Sequence, residues 1–88
     1  MPRYLSQHTL ACLTRQGAEE ISRRLLGGQP TAARRVVFNM QEGKMLAEFD
    51  APDREALEKF LGEGKFHYDW LVRIEFEASA DGSLKPIG

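Results

Sequence analysis

Cysteine is almost missing from this chain: Cys12 is the only one in 88 residues. A single thiol excludes an intrachain disulfide and any zinc site built from four cysteines, so a reducing, cytoplasmic setting is expected. An excess of one charge is missing as well. Twelve Lys and Arg stand against 13 Asp and Glu, a formal net charge of -1, which leaves no positive field to hold a nucleic-acid backbone or an anionic membrane. Neither partner is expected. Long apolar runs are also lacking: no stretch approaches the ~18 residues of a membrane-spanning helix. Residues Met1 to His8 are polar where an export signal would carry roughly 7–15 apolar positions. There is no internal repeat, low-complexity tract or interdomain linker.

What is present is a globular balance, 42% hydrophobic and 28% charged residues. One core is all that such a length can bury. A domain of this size covers only roughly 60% of the surface its unfolded chain exposes, so a second subunit against an apolar face is expected. The reading is one domain over residues 1–78 and a tail over 79–88, where Asp81-Gly82-Ser83 and Pro86 break the periodicity and suggest a frayed end.

Tyr4 to Leu13 reads as a first strand with both faces partly covered. Thr14 is a good N-cap for a helix whose stripe is Ala18, Ile21 and Leu25. Glu19 and Glu20 stand four residues before Arg23 and Arg24, and Gly27-Gly28 and Pro30 end the helix. Residues 33–40 and 44–50 are two β-favouring runs joined by Gln41-Glu42-Gly43, with Gly43 free to take the positive φ of a hairpin. Asp50 is the expected N-cap of a second helix, with Pro52 in its first turn, a stripe of Ala56, Leu57, Phe60 and Leu61, and Gly62 and Gly64 as the stop. Phe66 to Glu77 alternates: Phe66, Tyr68, Trp70, Val72, Ile74 and Phe76 form the expected core side, and His67, Asp69, Leu71, Arg73, Glu75 and Glu77 the polar side.

The order β-α-β-β-α-β is that of the ferredoxin-like α+β fold, a four-stranded antiparallel sheet with both helices on one face and strand order 4-1-3-2. RNA-binding domains of this topology need aromatics and a basic residue in the third strand; Glu42, Lys44 and Leu46 stand in those places. Metal chaperones of the topology need Cys-x-x-Cys, which Cys12 alone cannot supply. The segment Lys44-Met45-Leu46-Ala47-Glu48-Phe49-Asp50-Ala51-Pro52-Asp53-Arg54-Glu55-Ala56-Leu57, followed by Phe66-His67-Tyr68-Asp69-Trp70-Leu71-Val72-Arg73-Ile74, resembles the second half of the dimeric α+β barrel proteins. It is similar in particular to muconolactone isomerases and to a family of small proteins that includes nickel binders. The resemblance implies a homodimer whose sheets pack face to face, with a cavity inside each protomer between sheet and helices or in the barrel interior; it carries over no catalytic motif.

His8 and His67 are the only histidines, on the first and fourth strands, which that strand order makes neighbours. They are candidate ligands for nickel or another divalent transition metal, and equally candidate proton acceptors. Cys12 shares the side of His8, but four residues along a strand place it about 13 Å away, too far to join one ion. With Arg73 as partner for an anionic group and Tyr4, Tyr68 and Asp69 as binding residues, the pair would suit cofactor-free conversion of a small organic molecule, as in an isomerase, cyclase or monooxygenase. The plainer alternatives are hydrogen-bonded strand histidines, charges that pair across a dimer or face water, and a non-catalytic dimerisation module. Arg23, Arg24, Arg34 and Arg35 read as a solvated face balanced by Glu19, Glu20 and Glu42.

Overall fold

Alternation along the first strand decides which side of the sheet is covered. In the computed structural model, which describes residues 1–28 and 31–87, β1 (Arg3–Thr9) buries Tyr4, Ser6 and His8 and turns Arg3, Leu5, Gln7 and Thr9 to the other face. The strand ends earlier than Leu13. Leu10 donates its N–H to the carbonyl of Gly43 at 2.7 Å, and the chain then turns through Cys12, whose φ is 53°. Cys12 is therefore exposed in a turn rather than on the His8 side of the first strand.

Thr14 caps α1 (Arg15–Leu26), its hydroxyl accepting from the N–H of Gly17 at 3.0 Å. Ala18 and Leu25 are buried on the stripe that their spacing predicts. Neither of the expected pairs four residues apart forms among the described residues; Glu20 meets Arg23, three residues on, at 2.9 Å. Arg24 instead lies 4.5 Å above the ring of Phe66 and donates to the carbonyl of Gly64 at 2.8 Å. Pro30, expected to help end this helix, lies outside the described residues.

β2 (Ala32–Asn39) and β3 (Lys44–Asp50) form the hairpin expected from Gly43, whose φ is 65°. Between Ala33 and Arg35 the pairing slips, so Arg34 is an extra residue in β2, a bulge. Asp50 ends β3 and does not cap the next helix. Its carboxylate accepts from Arg34 at 2.6 Å and from Arg3 at 3.4 Å, and the cap of α2 (Arg54–Glu63) is Asp53, which accepts from the N–H of Ala56 at 2.8 Å. Pro52 accordingly precedes the helix. Two bonds close its far end: Phe66 N–H to the Leu61 carbonyl at 2.8 Å, and Lys65 N–H to the Gly62 carbonyl at 3.1 Å. This pairing needs a left-handed residue, and Lys65 supplies it with φ 59°.

The fourth strand departs most from the alternating pattern. β4 (Trp70–Ile74) starts four residues late and reverses the expected sides: Leu71 is buried, whereas Trp70 is 37% and Val72 46% exposed. A bend at Asp69 makes the switch. The N–H of Asp69 donates to the carbonyl of Gln7 at 2.7 Å, and its side chain is held by Gln7 and Thr9. Phe66 and Tyr68, before the bend, still pack on the core.

All four strands pair antiparallel in the order β2-β3-β1-β4, so the first and fourth are neighbours as expected. Leu25 of α1 and Leu57 and Leu61 of α2 join Tyr4, Ala33, Met45, Ala47, Phe49 and Leu71 in one core, which places both helices on the same side of the sheet. Burying each such large side chain is worth about 1.5–3 kcal/mol. Phe49 lies edge-on to Phe60 with ring centroids 6.3 Å apart. Beyond β4, the end of the expected fourth strand and the segment expected to fray form a second hairpin, β5 (Phe76–Ala78) with β6 (Leu84–Pro86). Its turn is closed by Gly82 at φ 87° and by Asp81, which accepts from Ser83.

Candidate functional site

His8 lies under the sheet with only 1% of its surface exposed. Its Nδ1 is 2.7 Å from the backbone carbonyl of His67. A carbonyl only accepts, so Nδ1 carries the proton, and Nε2 of the neutral ring accepts from the hydroxyl of Ser6 at 2.8 Å. Burial pushes the His8 pKa down; the bond to His67 and the nearby Asp69 carboxylate act the other way without cancelling it. A hydroxyl, an imidazole and an orienting acceptor in line form the local geometry of a nucleophile with its base. Ser6 is fully buried, however, so a reactant would have to pass through the core to meet it.

Across the sheet from this pair, the open face carries a second chain of polar groups. The register sets Thr9 beside Lys44, and the bend sets Asp69 beside both. Lys44 Nζ donates to Thr9 Oγ1 at 2.8 Å, Thr9 donates onward to Asp69 Oδ2 at 2.6 Å, and Gln7 Nε2 donates to the same oxygen at 3.2 Å. Hydrogen bonds from Thr9 and Gln7, with Lys44 nearby, hold the Asp69 carboxyl below its ordinary range.

The remaining open face runs in cross-strand rows. Val37, Leu46, Gln7 and Trp70 form one; Arg35, Glu48, Leu5 and Val72 the next; Ala32, Asp50, Arg3 and Ile74 the third. Arg3 lies 3.6 Å from Glu48 and 3.4 Å from Asp50, which also holds Arg34. Burial raises the Asp50 pKa, yet the two arginines outweigh it and keep the carboxyl ionised. Leu5, Arg35, Val37, Leu46 and Glu48 border a groove of about 240 Å³ on this face. A larger groove, about 470 Å³, runs between α1 and β2 past Ala18, Phe38 and Met40.

The residues singled out from sequence are thus dispersed. Tyr4 and His8 are in the core, Tyr68 is half-buried and donates to Glu58 at 3.2 Å, and His67, Asp69 and Arg73 are exposed. Arg73 stands opposite Tyr4 on β4 and makes no ion pair among the described residues. His8 meets the backbone of His67, and neither groove borders these residues. Among the described residues no three His, Cys, Asp or Glu side chains gather as metal ligands, and no helix is long and apolar enough to cross a membrane. Ser6, Thr9 and Lys44 were missed; the signal for Ser6 was its position two residues before His8 on one face of a strand. No protein-family model, no curated protein and no solved structure matches the chain.

Proposed function

We propose that the chain is a ferredoxin-like protomer that pairs with a second copy, open sheet face against open sheet face, as a dimeric α+β barrel, and that a small, largely apolar organic molecule binds between the sheets. The uncovered face carries this reading. Leu5, Val37, Leu46, Trp70, Val72 and Ile74 share it with Arg3, Arg34, Glu48 and Asp50. Apolar surface bordered by charge is the usual mark of an interaction site. A two-fold contact must also complement itself, and a face bearing arginines and carboxylates side by side satisfies that.

The open-face groove supports the ligand: its walls are Leu5, Val37 and Leu46, and Arg35 offers a cation to an acidic or hydroxyl-bearing end. Binding is favoured over conversion, because the Ser6 and His8 pair lies beneath the sheet. It is favoured over nickel as well, since both ring nitrogens of His8 already serve hydrogen bonds. A cytoplasmic location accords with the single exposed thiol.

Trp70, the only tryptophan, reports the association. Its emission should shift to the blue as protein concentration rises, and sedimentation should show a dimer; Leu46→Arg and Val72→Arg should give monomers without the shift. Arginine variants that remain dimers would overturn the sheet-face contact. For the ligand, an anilinonaphthalene sulfonate probe should brighten with the parent and stay dim with Val37→Trp, which fills the groove; equal brightening removes the ligand site.

A further inference from the structure

The open face does not stop at the end of β4. The carbonyls of Leu71 and Glu75 both point away from β1: Leu71 accepts from Arg54 at 2.9 Å, and Glu75 accepts from the N–H of Ile87 at 2.9 Å. No bend interrupts the chain between them. The alternation therefore runs on into β5, and Phe76 and Ala78 fall on the same face as Trp70, Val72 and Ile74. Pairing with β6 sets Pro86 opposite Phe76 and Leu84 opposite Ala78, which widens that face, while Glu77 and Lys85 share the reverse. The hairpin is thus an apolar extension of the open face.

Among the described residues no part of the chain covers this extension. Phe76 is 54% and Leu84 63% exposed, and neither joins the core. The arm stretches the molecule to 40 Å along its longest axis and its radius of gyration to 13.7 Å, where a compact chain of this length has about 12 Å. A hairpin of such short strands is marginal in water unless its apolar face packs on something. Because that face looks the same way as the open sheet, whatever covers one stands in front of the other. A second copy also needs the arm: a stable contact buries about 800 Å² on each partner, whereas four short strands offer a flat footprint of roughly 20 Å by 20 Å.

We propose that the two hairpins of the face-to-face dimer pack on each other across its two-fold axis, Phe76 and Leu84 of one copy against the same residues of the other. Packed sheets can cross at near right angles. With the two-fold running diagonally across the sheets, the β4 ends of both copies come to one corner, where the arms project past the sheets and cross. The contact is isologous, so the apolar face has to complement only itself, and Glu77 and Lys85 stay on the outer sides in water. The inference rests on the sheet-face reading and adds to it the part of the partner that the arm meets.

Cross-linking tests it in the full-length protein. In a Cys12→Ser background, Ala78→Cys keeps the apolar arm and should be joined to its symmetry mate by a short bismaleimide, whereas Leu26→Cys, exposed on α1 behind the sheet, should stay unlinked. Phe76→Asp with Leu84→Asp should weaken self-association at least tenfold by sedimentation. An unlinked Ala78→Cys protein, or an acidic double variant that associates like the parent, would overturn the arm contact; if Leu46→Arg and Val72→Arg still give monomers, the sheet-face contact stands without it. Linked arms in a protein whose Leu46→Arg and Val72→Arg variants remain dimers would leave the arm contact and remove the sheet-face one. A parent that is monomeric at every concentration removes both.

Discussion

The imidazole of His8 donates through Nδ1 to the main-chain carbonyl of His67, 2.7 Å away. This bond fastens the first strand to the segment that enters the last, and it fixes the tautomer that receives the hydroxyl of Ser6. An acid-sensitive joint between two sequence-distant strands is the result.

Because burial depresses the pKa of His8, the unfolded chain takes up a proton near its ordinary value of 6.5 that the folded chain still refuses. The sign is then set: stability is full above that value and declines as pH falls through it toward the depressed folded value. Urea unfolding should accordingly show a lower midpoint at about pH 5 than at about pH 7. His8→Gln should flatten this part of the profile, and His8→Ala should cost about 2–4 kcal/mol at pH 7 by opening a cavity and stranding the His67 carbonyl. An unchanged pH slope in His8→Gln would assign the acid sensitivity elsewhere.

Glycines in this chain should respond in opposite directions. A Cβ at Gly28 would lie 2.4 Å from the carbonyl oxygen of Thr31 and 2.7 Å from the ring of Phe60, whereas one at Gly62, inside α2, meets nothing within 4 Å. Gly28→Ala should destabilise by about 1–3 kcal/mol, and Gly62→Ala should stabilise by about 0.5–1 kcal/mol through helix propensity. Thermal or chemical melts of the two single variants read the contrast directly.

Lys65 is the left-handed residue that closes α2. A residue with a Cβ pays for that conformation by about 1 kcal/mol, so Lys65→Gly should raise stability by roughly that amount, measured by denaturant midpoint at constant slope.

Arg24 joins the two helices by lying on Phe66 and bonding the Gly64 carbonyl at the end of α2. Arg24→Met keeps much of the aliphatic stem and loses the charge, so it should lower stability by about 1 kcal/mol. Arg23→Met, which removes only an exposed pair with Glu20, should be near neutral in the same assay.

Asp69→Asn should lower the thermal midpoint at neutral pH, because a carboxylate accepts both the Thr9 hydroxyl and the Gln7 amide. Since those bonds depress its pKa below 3.8, the stabilisation is present above that value and disappears as pH falls through the folded pKa. The midpoints of parent and variant should therefore converge in strong acid; a constant gap would mean that the charge is not the cause.

Local patterns carried most of the architecture. The stripe Ala18, Ile21, Leu25, the cap Thr14 and the turn glycine Gly43 each act within a few residues, and each is where its spacing predicts. The errors came from distant partners. Phe66 to Phe76 alternates with apolar Leu71 as its one break, and it is Gln7 and Thr9, more than fifty positions earlier, that hold Asp69 in the bend before Leu71 turns inward and Trp70 and Val72 outward. Asp50 looks like a cap until Arg3 and Arg34 are brought to it. His8 was legible as a candidate because histidines are few; its partner was not, because every residue has a carbonyl and sequence cannot say which one it meets.

The bulge at Arg34 bears on a hazard common to sheet proteins. β2 is an outer strand, and a regular outer strand offers its unsatisfied N–H and C=O groups to any passing extended chain, the first step of fibril growth. Inserting one extra residue puts that row of groups out of step, and Arg34 and Arg35 add two exposed cations beside it. The irregularity thus acts as a guard against growth of a foreign strand along this edge of the sheet.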